Sequence, residues 1–228
     1  MAVLDDHPLV LRSVQSITTM LPTPITISTS HSCASTFLEH VTASPPDVAV
    51  VDLIMRGRAA GHHTIAALTE LGIPSIVFTA DQRRVPVRLA MQAGARGLVL
   101  KADPLEHLAR AVVAVATTGW AQSSALAQTV LDASADVPAL TQQELECLRL
   151  AAEGVPVKAI GRQFAPEITQ ATVKTYLRRA YEKYNAVGRL VHNTTHAATQ
   201  AMVDGFFDVS DDDEMPGEET HHTASHHA

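Results

Sequence analysis

The chain is poor in cysteine. Cys33 and Cys147 are its only two, and they stand far apart. That spacing makes neither a disulfide framework nor a zinc site, and it suits a reducing cytoplasm. No apolar run approaches the roughly 18–20 residues of a membrane-spanning helix. The opening residues, Met1-Ala2-Val3-Leu4-Asp5-Asp6, have no basic segment before an apolar stretch, which argues against a signal peptide. No glycine-rich phosphate loop follows the first apolar run, since Asp5-Asp6-His7-Pro8 stands there. This counts against a doubly wound enzyme using a phosphate-bearing cofactor. No internal repeat is present. What is plentiful is apolar sequence: 46% of the 228 residues are hydrophobic and 18% charged, enough to bury a core.

Charge is divided unevenly. Residues 1–131 carry nine Lys/Arg and nine Asp/Glu, and residues 136–207 carry eight and seven. Residues 208–228 carry seven acids and no Lys or Arg, so this end supplies the net charge of -7. The average therefore hides any local basic face.

Five short, β-branched-rich runs read as strands covered on both faces: Val3-Leu4, Ile25–Ile27, Val48–Val51, Ile76–Phe78 and Leu98–Leu100. Helical patterns lie between them, at about 8–21, 31–42, 61–71, 83–93 and 104–117. The alternation predicts a five-stranded, parallel, doubly wound α/β sheet with its ligand edge at the strand carboxyl ends. Residues 121–133 form a candidate linker helix, and Trp120 is expected to pack at the domain junction. From Leu140 the texture is all helical, with helices at about 142–153, 157–164, 170–184 and 189–205. Thr141-Gln142-Gln143-Glu144 is a capping-box pattern. Cys33 and Cys147 are expected in the core.

At the strand ends stand Asp5-Asp6, Asp52, Thr79 and Lys101. Carboxylates held together on one edge repel one another, and a divalent cation relieves the conflict. Mg²⁺ takes hard oxygen ligands, so Asp5, Asp6 and Asp52 are its candidate holders. Asp52, at the end of the strand expected in mid-sheet, is the candidate nucleophile for a phosphoryl group. Thr79 and Lys101 would steady that group by position and charge.

Residues 1–118 resemble the receiver domain of bacterial two-component response regulators, a flavodoxin-like fold. The likeness rests on Leu4-Asp5-Asp6-His7-Pro8, Pro46–Met55, Phe78-Thr79-Ala80 and Gly94–Lys101. It implies that Asp52 accepts phosphate from a sensor histidine kinase. It also implies that Asp5 and Asp6 help bind Mg²⁺, and that Thr79 and Lys101 are the switch hydroxyl and phosphate-contacting lysine. Three positions depart from the pattern. Arg56-Gly57 stands where Pro-Gly is common, which predicts a looser loop. Leu98 replaces the usual switch aromatic. The first strand begins almost at Met1, which either shortens it or places the start too late.

Residues 138–207 resemble the LuxR-type helix-turn-helix of the NarL/FixJ class, through Leu140–Glu144, Cys147–Gly154, Lys158–Gly161 and Thr172–Leu177. Thr169 would cap the recognition helix, placing Gln170, Thr172, Lys174 and Thr175 in its first turns, where base edges are read. Val173, Leu177, Ala180, Tyr181 and Tyr184 form an inward stripe. Lys174, Thr175 and Arg178 match DNA-contact positions of the family, and Arg179 and Lys183 are candidate phosphate contacts. Ala165–Ile168 lengthen the preceding turn by about two residues relative to the family pattern. Lys183–Arg189 resembles a variant seen in actinobacterial regulators.

Together these readings predict a cytoplasmic transcriptional regulator, not an enzyme, that binds double-stranded DNA as a homodimer under control of Asp52 phosphorylation. The alternative is a regulator with an atypical receiver that works without phosphorylation, through a ligand, a partner or constitutively. Residues 119–137 would be the linker. Residues 208–228, acidic and then His-rich, read as a disordered tail. It is either a solubilising end or a competitor with DNA phosphates for the basic face.

Overall fold

The computed structural model describes residues 1–207, with the backbone alone at Arg58 and Ala59. The first unit runs β1 (Ala2–Leu4), α1 (Pro8–Val14), β2 (Thr29–His31), α2 (Ala34–Ala43), β3 (Ala49–Val51) and a small hairpin, β4 (Ile54–Met55) and β5 (Arg58–Ala59). It continues with α3 (Gly61–Glu70), β6 (Ser75–Thr79), α4 (Arg84–Gln92), β7 (Leu98–Leu100) and α5 (Leu105–Thr118). The sheet order is β2-β1-β3-β6-β7, and every neighbouring pair is parallel. This is the α/β architecture that the sequence predicts.

The strands lack polar alternation because both faces are covered. Leu4, Val51, Val77 and Leu100 pack with Phe37 of α2, Ile65 and Leu68 of α3 and Val87 of α4. Val3, Val50, Ile76 and Val99 face the other way, onto Val14 of α1 and Leu108 and Val112 of α5. Successive residues of one strand thus feed two apolar layers.

Several elements differ from expectation. The second strand is Thr29–His31, not Ile25–Ile27. Ile25 is buried beneath the α1/α5 layer, ahead of the sheet, where Thr26 accepts a hydrogen bond from the Met1 amino group at 2.7 Å. β2 is an edge strand exposed on one side, so it tolerates polar residues. The first helix stops at Val14 and continues as a 3₁₀ turn, Gln15–Thr19. There the Ser16, Thr18 and Thr19 hydroxyls donate to carbonyls three residues back, competing with the α-helical pattern. The Arg56-Gly57 loop closes the β4–β5 hairpin. Both residues have positive φ, 50° and 72°, as a two-residue type I′ hairpin requires.

The second unit is helical: α7 (Gln142–Ala152), α8 (Val157–Ile160) with a 3₁₀ turn (Gly161–Gln163), α9 (Gln170–Ala186) and α10 (Thr194–Asp204). Leu148, Ile160, Val173, Leu177, Tyr184 and Ala198 form its core. The predicted capping box is present, with Thr141 and Glu144 bonded reciprocally. The long turn before α9 closes on Gly161, where an added Cβ would lie 2.2 Å from the Ile168 carbonyl oxygen. The last helix starts five residues later than predicted, because Gly188 ends the preceding turn and Asn193 caps α10.

Between the units, α6 (Ala125–Ala135) packs on α4 and places Ala127 and Val130 in the first core. An Arg88 guanidinium N–H donates to the Val137 carbonyl at 2.7 Å, and Arg84 lies 3.8 Å from Asp204. Trp120 is not at this junction. It is 52% exposed, beside Pro74 and Arg96 at the opposite edge of the sheet. The expected disordered tail lies outside the described residues.

Cys147 is buried as expected, but Cys33 caps α2 and is only half-buried. A hydrogen bond with the Ser35 hydroxyl, the first amides of α2 and the charge of Arg56 together lower the Cys33 thiol to about 7. Burial pushes Cys147 up to about 11. Iodoacetamide at neutral pH is therefore expected to label Cys33 in the folded protein and spare Cys147. Peptide mapping checks this, and equal labelling of both would contradict it.

Candidate functional site

Parallel strands deliver their carboxyl ends to one edge. Asp5 and Asp6 follow β1, Asp52 follows β3, Thr79 ends β6 and Lys101 follows β7. Backbone bonds pin these ends: Asp52 N–H donates to Leu4 O at 3.0 Å, and Lys101 N–H to Thr79 O at 2.8 Å. Asp5 and Asp52 are almost fully buried. The Lys101 ammonium lies between them, 2.7 Å from Asp5 Oδ2 and 2.6 Å from Asp52 Oδ2. Burial alone would lower the Lys101 pKa, but hydrogen bonds to Asp5 and Asp52 outweigh it and hold the ammonium above its ordinary value.

Asp6 is more open. Its Oδ2 accepts the Arg56 N–H at 2.6 Å, tying the hairpin loop to the acidic pair. Its Oδ1 accepts no well-directed hydrogen bond, although His7 Nδ1 lies 2.9 Å away. Asp5, Asp6, Asp52 and His7 offer ligand atoms that all lie within 4.8 Å of one another. The cluster's three carboxylates are the hard oxygen donors that suit a divalent cation, and His7 adds a nitrogen at its rim. Thr79 is buried beside it, and its hydroxyl accepts the Asp81 N–H at 3.1 Å. Close packing frames the pocket too. A Cβ at Gly61 would stand 2.3 Å from the Asp52 carbonyl oxygen, so α3 can approach the loop only with glycine there. His7 and Arg56 are the residues that sequence reasoning did not assign. Their signal was adjacency: one follows the acidic pair and the other sits in the loop after Asp52.

The second candidate surface is α9. Thr169 caps it as predicted, accepting the Thr172 N–H at 3.2 Å, and the Thr172 hydroxyl lies 2.9 Å from the same oxygen. Gln170, Lys174, Arg178 and Arg179 are exposed, and Thr175 is half-exposed, with its hydroxyl donating to Ala171 O. Arg178 faces Glu182 at 3.3 Å. Lys183 departs from this set. Its ammonium donates to Glu144 Oε2 at 2.6 Å, and Glu144 is buried. Lys183 therefore fastens α9 to α7 instead of standing free beside the other cations.

Burial would raise the Glu144 carboxyl, but bonds from Lys183 and the Thr141 N–H outweigh it and lower its pKa. A carboxylate whose folded pKa is depressed stabilises the fold fully above its unfolded pKa, about 4.3 for Glu. That contribution is lost as pH falls through the lower folded value. Replacing Glu144 with Gln should therefore flatten the acid limb of helical-unit stability below about pH 4.3. Denaturant melts followed by circular dichroism would show this. An unchanged acid limb would contradict it.

Comparison with known proteins gives a consistent result. Residues 1–113 match the family model described as the response regulator receiver domain. Residues 138–199 match that of bacterial regulatory proteins of the luxR family. The chain is 31% identical over 198 residues to the nitrate/nitrite response regulator protein NarL of Escherichia coli strain K12, covering 82% of this chain and 89% of NarL. It is 29% identical over 170 residues to the transcriptional regulatory protein DesR of Bacillus subtilis strain 168, covering 75% and 80%. A solved structure of two RcsB dimers bound to two parallel DNAs shares the fold. Its TM-score is 0.61 at 20% identity, over 89% of this chain and 96% of that one.

Proposed function

The chain belongs to the response regulators that join a receiver to a LuxR-type helix-turn-helix, and from this we propose that Asp52 is the phosphoacceptor that sets DNA binding by α9. The observation that carries the reading is the burial of Asp52 against Lys101 at 2.6 Å, beside two further carboxylates. In the proposed step, Asp52 Oδ attacks a phosphohistidine of a sensor kinase. The P–N bond breaks, a P–O bond forms and the imidazole leaves with a proton. Asp5, Asp6 and Asp52 are the residues that would hold Mg²⁺, whose charge offsets theirs as the phosphoryl group approaches. Lys101 and Thr79 would contact the new phosphoryl oxygens. The changed partners of Lys101 and Thr79 would bias the receiver between two arrangements.

The output is binding to DNA, so the chain acts as a transcriptional regulator and not as an enzyme of metabolism. We assign residues 1–118 to the receiver, 119–137 to the linker and 138–207 to the DNA-binding unit. Gln170, Thr172, Lys174, Thr175, Arg178 and Arg179 are the proposed DNA-facing set. A homodimer on paired half-sites follows from the symmetry that duplex operators favour, and RcsB offers a parallel in its DNA-bound dimers. Leu190, 75% exposed, and Val203, 58% exposed, leave apolar surface beside and on α10 for such pairing. Among the described residues no helix is long and apolar enough to cross a membrane, and we place the protein in the cytoplasm. The test is selection of genomic fragments by purified protein. Enriched sites should be paired, with two chains per duplex. Unselective recovery would overturn the reading.

A further inference from the structure

The residues after Phe207 hold the excess negative charge of the chain. Residues 136–207, which hold the helical unit, carry eight Lys/Arg against seven Asp/Glu, several of the cations on α8 and α9. Arg149, Lys183 and Arg189 are tied to Glu146 and Glu153, to Glu144 and to Asp204. Among the described residues, Lys158, Arg162, Lys174 and Arg179 make no ion pair, and all lie in α8, the 3₁₀ turn or α9. The Arg178–Glu182 pair is exposed, and such pairs hold weakly. Lys174 and Arg178 line a groove of about 420 Å³ whose apolar wall is Val157, Leu177 and Tyr181. Asn193 and Thr194, at the start of α10, complete it. The groove is thus apolar with cations along it, and the amides of a helix N-terminus add positive potential.

We infer that the segment Asp211-Asp212-Asp213-Glu214-Met215 of the same chain docks in this groove and excludes DNA from it. The segment pairs a run of four carboxylates with one apolar side chain, the complement of the lining. Its reach is also right. α10 has 11 residues and so rises about 16 Å from the groove to its far end. The chain leaves that end through Phe206 and Phe207, which pack on the helical core. Fully extended, the seven residues from Phe207 to Glu214 span up to about 25 Å and the four to Asp211 about 13–14 Å, so the later acids of the segment are the ones that reach the groove. A segment tethered this closely acts at an effective concentration of the order of millimolar, so weak contacts suffice. The inference rests on the reading of α9 as the DNA-binding surface, because the same Lys174 and Arg178 would serve both occupants.

The test uses the full-length protein at high dilution with a zero-length carbodiimide coupler, followed by peptide mass spectrometry. The expected product is an amide between a carboxylate of residues 211–214 and Lys174 of the same chain, suppressed by added duplex. It should be lost when Asp211, Asp212 and Asp213 become Asn and Glu214 becomes Gln. That variant should bind duplex about three- to tenfold tighter at low salt, with the gap closing as salt screens the tail. Coupling mainly to Lys158 or between chains, or equal affinities at low salt, would overturn the inference. If neither protein bound duplex, the reading of α9 would fail, while the coupling product would still decide where the tail sits.

Discussion

Asp52→Asn is expected to take up no phosphoryl group from a small phosphodonor with Mg²⁺, while the wild-type chain gains one per molecule by intact mass. Asn keeps the size of the side chain and removes the anionic nucleophile, so the loss is chemical and not structural. The surroundings make the substitution specific. Asp5 and Asp6 lie within reach as metal holders, but Asp5 Oδ1 accepts the His7 N–H at 2.9 Å and Asp6 Oδ2 the Arg56 N–H at 2.6 Å. Asp52 Oδ1, by contrast, has only a long contact from the Ile54 N–H at 3.4 Å. That leaves Asp52 Oδ1 only weakly held by the protein, at the end of the central strand β3. Phosphorylation that persists in Asp52→Asn would move the acceptor to one of the other two.

The second large effect falls on α9. Replacing both Lys174 and Arg178 with Ala should weaken binding to the selected duplex by a factor on the order of a hundred, taking about 1–3 kcal/mol per base or phosphate contact. The dependence of affinity on salt should also become shallower. Both side chains are exposed, so the thermal midpoint of the helical unit should hardly move. Lys183→Ala supplies the contrast. It removes the same charge from the same helix but strands the buried Glu144, so its main effect should be a lowered midpoint. Equal losses of affinity and unchanged midpoints in both proteins would show that Lys183 also faces DNA.

The Lys183 case shows where the sequence stops being legible. Periodicity places Lys183 on an outer part of α9, and nothing local reveals that Glu144, far earlier in the chain, is buried opposite it. The same limit explains Trp120, whose partners come from loops at the far edge of the sheet. The β2 error has a different origin. A buried apolar run ahead of an edge strand imitates the strand itself, while the true strand, Thr29–His31, is polar because only its inner side pairs. By contrast, the acidic pocket was legible because a parallel sheet brings every strand end to one edge. Residues directly after β1, β3 and β7 must then meet, wherever they lie in the chain. The α9 stripe was legible for a similar reason, since a 3.6-residue period is local, and Val173, Leu177, Ala180 and Tyr184 are indeed buried. His7 and Arg56 were missed because their roles depend on loop conformation. The positive φ of Arg56 turns its N–H toward Asp6, which no periodicity predicts.

The most direct test of the account is the affinity of one preparation for its selected duplex, measured by anisotropy before and after phosphodonor treatment, with Asp52→Asn in parallel. The account predicts that the wild-type affinity shifts with phosphoryl uptake, while Asp52→Asn binds identically with and without donor. A wild-type protein that gains its phosphoryl group without any change in affinity would contradict it.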